Sequence, residues 1–178
     1  MRVIGIVGKI GSGKDTAAQY LTKKYKFKSV NMGDLVREEA KKKKLIPNRR
    51  NLSKISKQFT DKFGKDYWAK RAVKKVKSLN GSKFLITGIR RLEDYNRISN
   101  TFKDFKFYLI DAKPKLRFKR MRKRARPGDP KTYLQFLKQE YNEFQLYGNF
   151  NKTLKHINGK IDNSKTRAAL YRNVDKVI

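Results

Sequence analysis

The sequence contains no cysteine and a single histidine, His156. Disulfides and cysteine-ligated zinc are thereby excluded. Any bound metal has to rely mainly on oxygen ligands. No apolar run approaches the length that spans a membrane, and the first residues, Met1 to Val7, already read as a strand rather than a signal peptide. A cytoplasmic protein with no membrane partner is expected. Acids are the other scarce class: 15 Asp and Glu stand against 47 Lys and Arg, a formal net charge of +32. Drift toward Lys, Asn, Ile, Tyr and Phe in an A/T-biased genome would enrich Glu as well, and it has not. A field of this size attracts polyanions, so RNA or another polyanion is a candidate partner beside small phosphorylated molecules.

What is present suffices for a core. Hydrophobic residues make up 38% of the 178 and aromatics 12%, enough for one folded domain despite the charge. Short apolar runs alternate with helical patterns. Strands are expected at 3–7, 28–32, 84–87, 105–111 and 160–162. Helices are expected at 16–25, 33–44, 52–63, 67–79, 92–102, from Pro114, at 132–146 and from Ser164. Ile46-Pro47-Asn48 breaks one helix from the next, and residues 126–130 form a loop. Strands alternating with helices imply an α/β domain, a three-layer fold around a five-stranded parallel sheet. Ligands of such sheets bind beyond the carboxyl ends of the strands. The chemically interesting residues fall there: after Val7, Met32, Thr87 and Asp111.

The first of these stretches is Gly8-Lys9-Ile10-Gly11-Ser12-Gly13-Lys14-Asp15-Thr16. It follows a strand and opens a helix. Glycines at 8, 11 and 13 admit backbone angles that side chains forbid. Freed N–H groups and the helix N-terminus then face phosphate oxygens, and Lys14 reaches the β- and γ-phosphates. The pattern G-x-x-x-x-G-K-S/T is met except at Asp15, which stands at the hydroxyl position with Thr16 next. This predicts a P-loop that binds ATP.

Three further groups lie at the same edge. Asp34 and Arg37 share a helix face just after the second strand, so Arg37 can reach an acceptor phosphate. Thr87-Gly88-Ile89-Arg90-Arg91 ends an apolar strand in two arginines. In residues 117–126, Arg117, Arg120 and Arg124 project to one helical face and Phe118, Met121 and Ala125 to another. Such an arginine-faced helix running into a Pro-Gly-Asp-Pro loop suits a movable cover, because guanidinium forks bind phosphoryl oxygens in pairs. The run Lys41 to Lys44 with Arg49 and Arg50 reads as solvated surface. With the arginine helix, it is where nucleic acid would bind.

In this order the pieces resemble the nucleoside-monophosphate kinase group of P-loop phosphotransferases. The chain looks most like the archaeal adenylate-kinase-related proteins, with dephospho-coenzyme A kinases as more distant relatives, and the resemblance covers nearly its whole length. The loop resembles G-x-P-G-S-G-K-G-T at Gly8, Gly11, Ser12, Gly13, Lys14 and Thr16. Met32-Gly33-Asp34-Leu35-Val36-Arg37 resembles T-G-D-x-x-R, residues 87–91 resemble D-G-I-R, and residues 120–129 resemble the lid pattern R-x-x-x-R-x-R-x-D-D. Asp162-Asn163-Ser164 resembles the loop bordering adenine. The resemblance implies ATP with Mg²⁺ as cofactors and a nucleoside monophosphate as the small-molecule nucleotide acceptor. It implies a helical acceptor-binding insert over 33–80 and a lid over 117–135, within one P-loop kinase domain, 1–178. ATP is then held by residues 8–16 and Asn163, and the acceptor by Asp34, Arg37 and Arg90 or Arg91. Lys14, Arg120, Arg124 and Arg126 act on the transferring group, and Asp15 and Thr16 hold the metal, partly through water. Two positions depart from the family. Thr87 replaces the acid that helps hold the magnesium shell, leaving Asp15, Asp34 and Asp111 as candidates, and Gly128 replaces the first lid aspartate. Dephospho-coenzyme A and deoxynucleotides remain alternative acceptors, and an RNA- or ribosome-associated ATPase is an alternative of another class.

Overall fold

Alternation along the strands fixes the layering. In β1 (Arg2–Val7), Val3 and Val7 point into one apolar cluster while Ile4 and Ile6 point into another. The same division runs through β3 (Lys83–Thr87), where Phe84 and Ile86 face the first cluster and Leu85 the second. With β2 (Lys28–Asn31), β4 (Phe105–Asp111) and β5 (Gly159–Asp162) these strands make one parallel sheet in the order β2-β3-β1-β4-β5. The computed structural model describes residues 1–126, 128–147 and 150–178.

The helices are α1 (Lys14–Tyr25), α2 (Met32–Lys42), α3 (Arg49–Phe63), α4 (Tyr67–Ser78), α5 (Leu92–Thr101), α6 (Pro114–Arg124), α7 (Tyr133–Tyr147), α8 (Phe150–Leu154) and α9 (Arg167–Asp175). Leu35 of α2, Ile55 of α3, Trp68 and Ala72 of α4 and Ile98 of α5 pack on the Val3 face. Ala17 and Leu21 of α1 and Leu170 and Val174 of α9 pack on the Ile4 face. A third, small cluster joins Ile10, Met121 of α6 and Phe136 of α7. The result is the expected three-layer α/β fold.

Register carries the strand ends to one edge. Ile6 lies beside Thr87 and Thr87 beside Asn31, while Asp111 lies beside Asp162. Gly8, Gly88 and Asn163 therefore leave the sheet on the same side.

Four local expectations need correction. The first concerns α3, which starts at Arg49 rather than Leu52, because the Asn48 side chain caps it by accepting from the Asn51 N–H at 2.9 Å. The last helix starts at Arg167 rather than Ser164. Thr166 caps it, while the Ser164 N–H and hydroxyl both donate to Asp162 in a tight turn. Helix α8 was not expected; its Phe150 and Leu154 pack on the larger cluster. Finally, Arg117 is not on an outward arginine face: it is among the most deeply buried side chains. Pro127 of the expected loop lies outside the described residues.

The scarce acids are heavily used. Glu39 pairs with Arg71 and Lys42, Asp66 with Lys70 and Arg97, and Asp175 with Lys24.

Candidate active site

The chain leaves β1 at Val7 and turns through Gly8 to Gly13 into α1. Gly13 stands at the helix N-cap with φ 93°, in the left-handed region, and a side chain there would run into the Asn163 amide. A Cβ on Gly8 would come within 2.6 Å of the Ile110 carbonyl oxygen, so the loop lies tight against β4. Asn163, buried just after β5, donates its side-chain amide to the Ser12 carbonyl at 2.7 Å. Arg120 of α6 donates to the Asn163 carbonyl at 2.8 Å. Arg117 braces the loop from the other side. Its Nε donates to the Ala112 carbonyl at 2.9 Å and its Nη1 to the Ile10 carbonyl at 3.1 Å, while both Nη groups grip Glu140 of α7 at 2.7 and 3.1 Å.

Among the described residues, two polar atoms in this assembly are buried without a partner, the Ser12 hydroxyl and Arg120 Nη1. At the mouth of a cavity, a bound ligand or water can complete the bonding of such groups. Lys14, the first residue of α1, has its ammonium pushed below the ordinary lysine value. Burial is the main cause, with Arg90 and Arg124 adding to it and Asp15 and Glu143 opposing it. Its charge is thus under-compensated at a helix N-terminus, and an anion relieves both conditions.

Two cavities meet at Lys14. The larger, about 520 Å³, is bordered by Gly13, Asp15, Thr16, Arg120, Arg124, Arg126 and Asn163. That volume lies within the ~300–1,000 Å³ typical of small-molecule sites. The smaller, about 70 Å³, lies between Gly8 and Ile10, the turn Gly88 to Arg90, and Glu140, Glu143 and Phe144 of α7. On its α7 wall, Glu143 accepts from Arg90 at 3.0 Å and from Arg49 at 2.6 Å.

The expected site residues are distributed as follows. Residues of the loop, Arg120, Arg124, Arg126 and Asn163 gather around the larger cavity, and Arg90 borders the smaller one. Arg124 makes a two-pronged pair with Asp129 at 2.7 and 2.8 Å, and the Arg126 N–H donates to the same carboxylate. Asp34 and Arg37 pair with each other at 2.5 Å on the first turn of α2 and border neither cavity. Arg91 caps α5, its N–H donating to Asp94. Glu140, Glu143 and Asp94 were not singled out from the sequence. For the two glutamates a signal existed: both fall on one helix in a chain where acids are rare.

Among the described residues no three His, Cys or acidic side chains cluster as a metal site. Asp34 is paired with Arg37 and Asp111 with Lys160 at 2.7 Å, which leaves Asp15 and Thr16 on the first turn of α1. Two oxygen donors beside a phosphate-binding loop fit Mg²⁺, which keeps several waters and takes its other ligands from substrate phosphates.

A family model described as an AAA domain matches residues 7–137. The chain is also 30% identical over 144 residues to the UPF0200 protein of Hyperthermus butylicus, covering 79% of this chain and 75% of that one. The chain belongs to the AAA domain family and to the UPF0200 proteins. Solved structures extend the likeness to the whole of this UPF0200 chain. TT1252 from Thermus thermophilus matches with a TM-score of 0.67 at 17% identity, over 99% of this chain and 95% of its own. Shikimate kinase from Bacteroides thetaiotaomicron matches with a TM-score of 0.60 at 12% identity, over 99% and 96%. The fold of this UPF0200 protein is therefore that of the P-loop kinases. Among its described residues, no helix is long and apolar enough to cross a membrane.

Proposed function

We propose that the protein transfers the γ-phosphoryl group of ATP to the phosphate of a nucleoside monophosphate. One observation carries this reading: Lys14 borders both cavities, so a donor in the larger one and an acceptor in the smaller one would meet at its ammonium. A phosphate oxygen of the acceptor forms the new bond to the γ-phosphorus as the bond to the β–γ bridging oxygen breaks, and ADP leaves. Such an acceptor is already ionised near neutral pH. That suits a site whose carboxylates, Glu140 and Glu143, are both held by arginines and are poorly placed to take a proton from an alcohol.

In this reading residues 8–16 and Asn163 hold the donor, with Arg120, Arg124 and Arg126 along its cavity. Mg²⁺, held through Asp15 and Thr16, would neutralise charge on the phosphates. Catalysis is mostly positioning and charge compensation. The test is a panel of nucleoside monophosphates, deoxynucleotides and dephospho-coenzyme A with labelled ATP. Label on a nucleoside monophosphate, lost in Lys14→Ala, is the expected result. Label only on dephospho-coenzyme A or a deoxynucleotide would replace the acceptor, and no transfer at all would end the kinase reading.

A second reading is nucleic-acid binding. Lys115, Lys119 and Arg122 recur at helical spacing on the exposed side of α6, and none has an acidic partner among the described residues. RNA affinity falling steeply with salt, together with no nucleotide phosphorylation, would favour this reading over the first.

A further inference from the structure

The two halves of α7 are held by different physics. The first half is packed: Phe136 is fully buried against Ile10 and Met121, with Phe118 and Tyr133 around it. The second half crosses the small cavity, where Phe144 is 40% exposed and Glu143 supplies the ionic ties to Arg49 of α3 and Arg90 of the β3 turn. Burial pushes the Glu143 carboxyl up, but Arg90 and Arg49 outweigh it and hold the group below the ordinary glutamate value, so it is a carboxylate. Its charge also acts on Lys14 across the cavity. An anion thus already sits between two guanidinium forks, next to the lysine of the phosphate loop. Apolar packing cannot be traded for contacts to an incoming phosphate. An ionic tie can, because phosphate offers the same forks more charge and more acceptor oxygens.

We propose that Glu143 is a resident occupant of an anion subsite formed by Arg49 and Arg90, and that a phosphate-bearing acceptor enters by displacing it and lifting the second half of α7. The inference rests on the acceptor reading above and adds Arg49 and α7 to it. It makes the small volume of that cavity a state of the enzyme rather than a limit on its substrate. The apparent affinity for the acceptor is then lowered by the fraction of molecules in which Glu143 holds the subsite.

The experiment is calorimetric titration of inorganic phosphate into the wild-type chain, Glu143→Gln, Arg49→Ala and the double variant. Phosphate bound at residues 8–16 also feels the loss of the Glu143 charge through Lys14, and the Arg49→Ala arm separates that gain from one made at the subsite. Glu143→Gln is expected to bind about tenfold tighter, and Arg49→Ala is expected to erase that gain. Unchanged or weaker binding in Glu143→Gln would overturn the proposal, as would a gain that survives the loss of Arg49. Glu143→Ala, checked for folding by circular dichroism, gives the same readout should the glutamine variant be unstable. No turnover is needed. A phosphate gain without any kinase activity leaves the subsite standing and removes the transfer reading; turnover without the gain does the reverse.

Discussion

The side-chain amide of Asn163 donates to the carbonyl of Ser12 at 2.7 Å, tying the loop after the last strand to the phosphate loop after the first. The bond joins residues 151 apart in sequence and is fully buried. Asn163→Ala removes it and leaves the Ser12 carbonyl without that donor. A loss of about 1–3 kcal/mol in stability is expected, read from denaturant unfolding. ATP affinity should fall as well, because the loop loses the contact that fixes its shape.

Gly13→Ala attacks the same place from the backbone. It puts a side chain at φ 93° and drives it into the Asn163 amide. Fluorescent-nucleotide binding should be lost while the fold survives. Unimpaired binding would mean that the loop can adopt another path.

Arg117→Met tests the brace behind the loop. The arginine side chain is 2% exposed and its partner Glu140 16%. Breaking a buried pair by removing one member costs about 3–5 kcal/mol. A fall at the lower end is expected here, since Glu140 keeps some solvent and lies 3.5 Å from Lys9. Adding Glu140→Gln should return part of the loss, measured as a double-mutant cycle.

Asp94 should give the protein an unusual pH profile. Its carboxyl is buried, one oxygen accepts from the Arg91 N–H at 3.2 Å, and among the described residues the other has no hydrogen-bond partner within normal geometry. Burial is the main cause that lifts its pKa from 3.8 to about 7, against the pull of the Arg91 and Arg90 N–H groups. Between those two values the folded chain keeps a proton that the unfolded chain has released. Stability therefore falls as pH rises through this window and levels off above it. At about 1.4 kcal/mol per unit the full effect is up to about 4 kcal/mol. Melting temperatures of wild type and Asp94→Asn from pH 5 to 8 should shift progressively against the wild type. A constant difference would mean an ordinary aspartate.

Much of the scaffold is legible in the sequence because its causes are local. Gly8, Gly11, Gly13 and Lys14 announce a phosphate loop by spacing alone, and the apolar runs mark strands whose bounds shift by a residue or two at most. What escaped was non-local or too short. The five residues of α8 carry no period to read. Projection onto a helical wheel put Arg117 beside Arg120 and Arg124, but could not say that this side of α6 turns toward Glu140 of α7. Arg49 reads as surface because its partner Glu143 lies 94 residues away and meets it only in the folded chain. Among the described residues, Arg37 satisfies a motif yet spends its charge on Asp34 three residues away.

The pairing of the acids has a consequence for how this sequence can change. With 15 acids among 47 bases, several carboxylates serve two cations at once, as Glu39, Asp66 and Glu143 do. Mutational tolerance is therefore lopsided. A surface lysine is one of a surplus, and drift can replace it with little effect. Losing an acid leaves two positive groups facing each other. The rare carboxylates, not the abundant lysines, are the positions where substitution is least free.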